Sequence, residues 1–84
     1  MPVSKDSIKN LLEVLERKYP NAIESHKKIS APSINPNELF KLLFFCWEEI
    51  FINCTPIEEK TSGEIKGFQH VRITSKGIRF LENF

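Results

Sequence analysis

The side chains with the clearest chemical use in this sequence are cations that can bind phosphate groups. One group falls in and after the first predicted helix: Arg17, Lys18, Lys27 and Lys28. A second group accompanies a predicted strand pair: Lys66, Arg72 and Lys76. Cations of this kind position a protein on a nucleic-acid backbone. Glutamates stand beside both groups in the sequence, so a solvated and mutually balanced surface is the alternative interpretation.

Three phenylalanines offer a different chemistry, that of contact with another protein. Phe45 falls in the middle of the charged face of a predicted helix, and Phe40 and Phe44 lie at the edge of the same face. Grouped apolar side chains on a surface mark interaction sites, so the three predict a seam for a second copy or another protein. Single exposed apolar residues are common, and coverage of Phe45 by a neighbouring loop is the other interpretation.

Catalysis and metal binding find little support in the sequence. The soft ligands have neither C-x-x-C nor H-x-x-x-H spacing: Cys46, Cys54, His26 and His70. A nucleophile needs a base and an orienting group, and no such set is evident. So short a chain is also expected to lack a pocket of the few hundred Å³ or more that small-molecule sites have. We therefore predict a protein that is not an enzyme and uses no metal or cofactor.

Composition predicts a single domain over residues 1–84. The 12 Lys and Arg residues against 11 Asp and Glu give a net charge of +1, which excludes a strongly basic chain that coats DNA. No apolar run approaches the roughly 20 residues of a membrane span. The first residues lack the pattern of a secretory signal, and the chain has only 2 cysteines. We expect reduced thiols and a cytoplasmic location.

Hydrophobic periodicity and local punctuation predict the order of elements. Asn35 and Pro36 form a typical helix start, and Thr74 can cap a last helix. Pro20 disfavours helical geometry at the residue before it. A polar loop is predicted at 30–34. The pattern predicts helices at 5–18, 22–29, 36–49 and 75–83, and strands at 50–55 and 68–73 that pair as a hairpin.

Residues 71–82 have the sequence VRITSKGIRFLE, which resembles the second wing strand and closing helix of winged helix-turn-helix regulators. Residues 38–43, leading into 50–52, are similar to a recognition helix that runs into the first wing strand. The likeness covers residues 36–84. It is greatest to small winged-helix proteins of bacterial and prophage genomes, and more distant to MarR- and PadR-type regulators. It implies an α+β fold, a small winged helix-turn-helix domain with three helices, a two-stranded antiparallel wing and a C-terminal helix.

The resemblance also implies a function. Proteins of this kind bind duplex DNA as dimers, with the third helix in the major groove. We therefore expect a transcription regulator whose partner is double-stranded DNA. Asn37 and Lys41 would lie nearest the groove, and the two basic groups would contact the backbone.

The distribution of charge keeps a second hypothesis open. Residues 31–60 contain two Lys and five Glu, and the exposed face of the predicted helix at 36–49 carries Glu38, Glu48 and Glu49. Carboxylates repel phosphates. The alternative is a protein-interaction or homodimerisation module on the same scaffold, which uses the three phenylalanines and does not bind DNA.

Overall fold

The structure, a computed structural model, describes residues 3–31 and 33–84, and Pro32 of the predicted loop at 30–34 lies outside these residues. Three α-helices are present in this part of the chain: α1 (Lys5–Glu16), α2 (Pro36–Glu48) and α3 (Ser75–Glu82). Three strands accompany them: β1 (Ile23–Ser25), β2 (Ile52–Glu58) and β3 (Ile65–Ile73). A 3₁₀ turn at His26–Lys28 follows β1 directly. None of the helices within the described ranges has the length and apolar character needed to cross a membrane.

Each α-helix begins at a polar cap. The side chain of Ser4 accepts a hydrogen bond from the amide of Ser7 at 3.1 Å and starts α1. Asn35 accepts one from the amide of Asn37 at 2.9 Å, with Pro36 in the first turn of α2. The predicted caps Asn35 and Thr74 are therefore confirmed, because these side chains satisfy amides that have no partner within the helix.

The strands form one antiparallel sheet in the order β1-β3-β2. Ile23 pairs with Val71 across β1 and β3, and Ile52 pairs with Ile73 across β2 and β3. The prediction of a helix at 22–29 is wrong, since that segment forms β1 and the 3₁₀ turn. The sheet accordingly has three strands instead of the predicted two. Pairing with a distant strand overrides the local helical pattern of this segment, because Val71 gives Ile23 a buried neighbour that a short helix would not supply.

The core lies between the helices and one face of the sheet. Leu11, Leu12 and Leu15 of α1 are buried, as are Leu42, Leu43 and Cys46 of α2. Phe68, Val71 and Ile73 of β3 are buried beneath them. These positions make an α+β domain with one contiguous hydrophobic cluster, which supplies most of the stability of a chain this short.

Aromatic rings surround Phe68 at the centre of the sheet. Phe40, Phe44 and Trp47 of α2 place their ring centroids 5.3, 6.0 and 6.0 Å from that of Phe68. His26 approaches the same ring edge-on, and its Nδ1 accepts a hydrogen bond from the amide of Phe68 at 3.2 Å. Such tilted and edge-to-face contacts add to the stabilisation that area burial provides. The cluster fixes α2 and the 3₁₀ turn on β3.

Candidate functional site

A surface groove of about 340 Å³ lies where β2 begins, β3 ends and α3 starts. We call it the end groove. Its walls combine two cations with hydroxyl, amide, phenol and apolar groups: Tyr19, Ile50, Asn53, Arg72, Ile73, Thr74, Ser75 and Lys76. The groove therefore contains Arg72 and Lys76, two of the predicted nucleic-acid-binding residues.

The sheet places Arg72 in the end groove. Arg72 is the register partner of Asn53 across β2 and β3, and both side chains are exposed. A β-bulge follows, where the register shifts between Asn53 and Thr55 and His70 adopts a φ of 53°. Buried Val71 and Ile73 flank Arg72 in the strand. The alternation of a strand thus directs the Arg72 side chain to the solvent face of the sheet.

Three hydrogen bonds attach the start of α3 to the chain segment that follows α2. The Lys76 ammonium donates to the carbonyl oxygen of Glu49 at 2.8 Å, and the Thr74 hydroxyl donates to that of Ile50. The Thr74 amide donates to the carbonyl oxygen of Phe51 at 3.0 Å. The Lys76 ammonium also lies 5.3 Å from the centroid of the Phe51 ring, a cation–π contact. The position of Lys76 beside the groove is therefore set by contacts within the domain.

Ile50 has an unusual backbone conformation. It follows the C-cap of α2 with a φ of 63°. Its amide donates to the carbonyl of Trp47 at 3.1 Å, and the amide of Phe51 donates to that of Cys46 at 2.9 Å, which together form a Schellman motif. Glycine is usual at this position, and a β-branched residue is strained there. The Ile50 side chain is nevertheless 60% exposed and lines the end groove.

The charge of the end groove is positive. No Asp or Glu is among its lining residues, all of which belong to the described chain. Ion pairs within the described ranges involve Lys28 and Lys66, not Arg72 or Lys76. Arg17 and Lys18 immediately precede Tyr19 and are exposed at the end of α1. These two cations are neighbours in sequence of a groove residue, and the exposed Glu16 precedes them.

The remaining predicted cations lie elsewhere and are partly neutralised. Lys28 pairs with Glu24 at 2.9 Å, and this contact lowers the pKa of the Glu24 carboxyl through a hydrogen bond and the Lys28 charge. Lys66 lies 3.7 Å from Glu59 in the β2–β3 hairpin. Lys27 is exposed on the 3₁₀ turn. The structure thus separates the predicted basic groups instead of joining them into one surface.

The outer face of α2 carries the other predicted residues. Asn37 and Lys41 are exposed there together with Glu38, Glu48 and Glu49. A groove of about 390 Å³, the outer groove, runs along this face between apolar and charged side chains: Val3, Phe40, Lys41, Phe44, Phe45 and Glu48. A neighbouring groove of about 660 Å³ shares Val3 and Lys41 and extends toward Ser4 of α1. The expectation that the chain lacks a pocket of this size is wrong, because open grooves between elements need no thick core around them.

The three phenylalanines all line the outer groove, and each of them is half-buried. Phe40 and Phe44 are half-buried in the ring cluster around Phe68. Phe45 is half-buried beside the outer groove. Only part of each side chain therefore remains available to a partner.

The cysteines are protected thiols. Burial, and after it the charge of Glu49, raises the pKa of Cys46 to about 12. Burial raises the pKa of Cys54 to about 11. Thiolate is the reactive form, so neither residue is suited to nucleophilic chemistry near neutral pH. Across residues 3–31 and 33–84, no three His, Cys, Asp or Glu side chains converge in a way that could bind a metal ion.

Sequence reasoning missed Tyr19, Ile50 and Asn53 as members of a site. Tyr19 and Ile50 both fit the apolar helix faces, and their periodicity gives no sign that they face solvent at 46% and 60% exposure. One signal was available, since a β-branched residue stands where a helix ends and glycine is usual. This signal indicates an unusual backbone position, but it does not indicate what would bind there.

Comparison with known proteins adds no relative. No family model, no curated protein and no solved structure matches the chain.

Proposed function

We propose that this chain is a small winged-helix protein that binds double-stranded DNA through the end groove. The observation that carries the proposal is the convergence of Arg72 and Lys76 with Tyr19 and Asn53 in one groove without a lining carboxylate. In this proposal Arg17 and Lys18, which are exposed and precede Tyr19 in the sequence, add to the same positive surface. In this reading the protein is a cytoplasmic regulator of bacterial or prophage type.

The order of elements supports the winged-helix part of the proposal. From α2 onward a helix, two hairpin strands and a final helix follow as the resemblance implies. The segment before α2 differs. A helix-turn-helix needs two helices joined by a short turn, and a 3₁₀ turn at His26–Lys28 stands where the first would be. The proposal therefore assigns the DNA contacts to the end groove instead of α2.

Five of the lining residues have a role in phosphate binding in this proposal. The Arg72 guanidinium can donate two parallel hydrogen bonds to one phosphate, and Lys76 contributes a charge from the neighbouring element. Asn53, Ser75 and Tyr19 can donate to phosphate or sugar oxygens. Contacts of these kinds carry little sequence information. We therefore expect binding that is weakly sequence-dependent and strongly salt-dependent.

The outer face of α2 is consistent with this assignment. Its three exposed glutamates would approach the backbone phosphates if α2 entered the major groove. Repulsion between like charges opposes that orientation. Asn37 and Lys41 consequently do not contribute to DNA binding in this proposal.

The test is a titration of random-sequence duplex DNA at about 50 and 200 mM salt. We expect the Arg72→Gln/Lys76→Gln double variant to bind at least about ten-fold more weakly and to lower the slope of log K against log salt by nearly 2. The matched control is Lys27→Gln/Lys28→Gln, which removes the same charge from another surface. Because Lys76 also donates to Glu49, Arg72→Gln alone is measured alongside, with melting curves for all variants. Equal losses in the double variant and its control, or no DNA binding by the natural chain at the lower salt, would reject the proposal.

A further inference from the structure

Three large apolar side chains are exposed in the described part of the chain, and two of them lie in the end groove. Ile50 is 60% exposed and Tyr19 is 46% exposed, and both are lining residues of this groove. The third, Phe84, lies outside the groove. Grouped apolar surface of this kind marks a site of interaction. Phosphate binding gives no role to Ile50, so its exposure needs a separate explanation.

Ile50 is exposed at a cost in stability. Its φ of 63° is a left-handed conformation in which a β-branched residue is strained, whereas glycine would adopt it freely. The surrounding contacts impose this conformation. The Thr74 hydroxyl donates to the carbonyl oxygen of Ile50, and the Lys76 ammonium donates to that of Glu49 at 2.8 Å. Strain of this kind persists where neighbouring structure determines it, and it is concentrated at functional sites. The strain therefore singles out the Ile50 side chain as a candidate for a function.

The cations of the end groove lie at the same turn. Lys76 is held there by its hydrogen bond to Glu49, the residue before Ile50, and Arg72 lines the groove with Lys76 and Ile50. Neither cation forms an ion pair with another residue of the described chain. The Glu49 side chain is exposed, and it is not one of the lining residues of the groove. A polyanion bound by Arg72 and Lys76 is therefore brought against Ile50.

We infer that Ile50 is an apolar wedge that enters the minor groove of bound DNA, partly unstacks one base step and bends the duplex. The inference rests on the proposed DNA binding and specifies the form of DNA that is bound. Isoleucine is one of the apolar residues that act as such wedges beside cationic and polar groups that hold the duplex. The faces of stacked bases are apolar, so an opened step removes the Ile50 side chain from water. A single side chain on a tight turn fits the minor groove, about 6 Å wide, whereas the major groove, about 12 Å wide, accepts a whole helix.

The wedge gives a preference among DNA duplexes. Opening a base step costs free energy, and this cost is lowest at pyrimidine–purine steps and at mismatched base pairs. A protein that opens a step therefore binds such sites more tightly, although it makes no hydrogen bonds to base edges. The preference follows the deformability of the DNA and is compatible with the weak sequence dependence of the phosphate contacts. The expected ligand is a duplex that bends easily.

The test measures bending and affinity with two duplexes of about 20 base pairs, each with a donor and an acceptor dye at its ends. One is fully paired with a pyrimidine–purine step at its centre, and the other has a single central mismatch. Energy transfer between the dyes reports the bend, and fluorescence anisotropy reports the dissociation constant. At about 50 mM salt, we expect the natural chain to bend the paired duplex by at least about 20°. We expect it to bind the mismatched duplex at least about five-fold more tightly.

Substitutions at Ile50 separate the wedge from the phosphate contacts. Ile50→Gly removes the side chain and relieves the strain, and it is expected to abolish both the bend and the preference for the mismatch. Its salt dependence is expected to match that of the natural chain, because Arg72 and Lys76 remain. Ile50→Leu restores an apolar side chain of the same size and is expected to bend the duplex again. The matched control Phe84→Ala removes an exposed apolar side chain outside the groove and is expected to change neither readout.

The outcomes distinguish failure of the wedge from failure of DNA binding, and melting curves establish that each variant is folded. A natural chain that binds duplex DNA in a salt-dependent manner but leaves it straight would overturn the inference and leave the proposed function intact. Equal bending by Ile50→Gly and the natural chain would also overturn it. No binding of either duplex by the natural chain at about 50 mM salt would reject the proposed function and this inference together.

Discussion

Thr74 connects the start of α3 to the residue that ends the turn after α2. Its hydroxyl donates a hydrogen bond to the carbonyl oxygen of Ile50 and accepts one from the amide of Gly77 at 3.1 Å. One side chain thus caps α3 and holds the strained turn against it. Both Thr74 and Ile50 line the end groove, so the same contact shapes the proposed binding surface.

Replacement of Thr74 tests this double role. Thr74→Val keeps the shape of the side chain and removes both hydrogen bonds, and we expect it to lower the free energy of unfolding by about 2 kcal/mol. Thr74→Ser retains the hydroxyl and is expected to cost less than about 1 kcal/mol. Urea denaturation followed by circular dichroism measures both. Equal stability of the two variants would show that the hydroxyl contributes nothing.

Gly77 is required where α3 passes the start of β2. A Cβ at this position would overlap the carbonyl oxygen of Phe51 and lie 2.7 Å from Cγ1 of Ile73. The Phe51 carbonyl is backbone and cannot turn aside, so we expect Gly77→Ala to cost about 2–3 kcal/mol. Gly63 is the control, because its φ is 74° and a Cβ there meets nothing within 4 Å. Gly63→Ala is expected to cost about 1 kcal/mol, from backbone strain alone. Chemical denaturation measures the free energy of unfolding of both alanine variants. A Gly77→Ala variant as stable as the natural chain would contradict the steric crowding inferred here.

Relief of the strain at Ile50 should stabilise the domain. Glycine adopts a φ near 63° without a Cβ penalty, so Ile50→Gly is expected to raise the free energy of unfolding by about 1 kcal/mol. Since the Ile50 side chain is largely exposed, little buried area is lost. Ile50→Val keeps the β-branch and is expected to show no gain. A lower melting temperature for the glycine variant would indicate that the Ile50 side chain stabilises the native state after all.

The buried thiol of Cys46 makes stability sensitive to alkaline pH. Burial raises its pKa from the ordinary 9.0 to about 12, so the unfolded chain releases this proton first. The contribution of the protonated Cys46 thiol to stability is complete below pH 9.0. It is lost as the pH rises toward the pKa of Cys46 in the folded protein. Above pH 9.0, ionisation of this thiol in the unfolded chain should lower the free energy of unfolding by up to about 1.4 kcal/mol per pH unit. Cys46→Ala loses packing but should also lose this part of the slope, which denaturation at pH values between about 8 and 10.5 would reveal. Parallel slopes in the two proteins would refute the assignment.

Local signals in the sequence predicted α1, α2 and α3 well, although the fourth predicted helix, at 22–29, is absent. The apolar spacing of Ile8, Leu11 and Leu15 defines α1, and these residues are buried as expected. Asn35 and Pro36 mark the start of α2 because capping and a fixed φ act within a few residues. The predicted ends at 18 and 49 exceed the observed ends at 16 and 48 by one or two residues. Helix ends fray, and such differences carry no structural meaning.

The long-range pairing of β1 with β3 could not be predicted from the sequence. Ile23 and Ser25 form a strand only because Val71 and Gln69 pair with them. Three residues are too few to show strand periodicity, so helix and strand were not distinguishable there. The observed β2 continues through Pro56 to Glu58, whereas the prediction ended at residue 55. Proline is accepted because β2 lies at the edge of the sheet, a position that the sequence does not specify.

The candidate site was predicted in part. Arg72 and Lys76 were chosen for their charge and do lie together. Their separation from Lys28 and Lys66 depends on where α1, the 3₁₀ turn and the hairpin meet the sheet, which no local pattern encodes. The end groove likewise joins residues from the whole length of the chain, from Tyr19 to Lys76. Its existence is a property of the packing and not of any motif.

The order of the sheet also has a bearing on aggregation. An edge strand exposes unpaired amides and carbonyls that can recruit strands from other molecules. Here β1 offers an edge of three residues only, and the edge formed by β2 carries Pro56, which has no amide hydrogen to donate. Neither edge can therefore serve as a long uninterrupted template for cross-β assembly. Since β3 is paired along both of its edges, these two short or interrupted edges are what the sheet offers to another molecule.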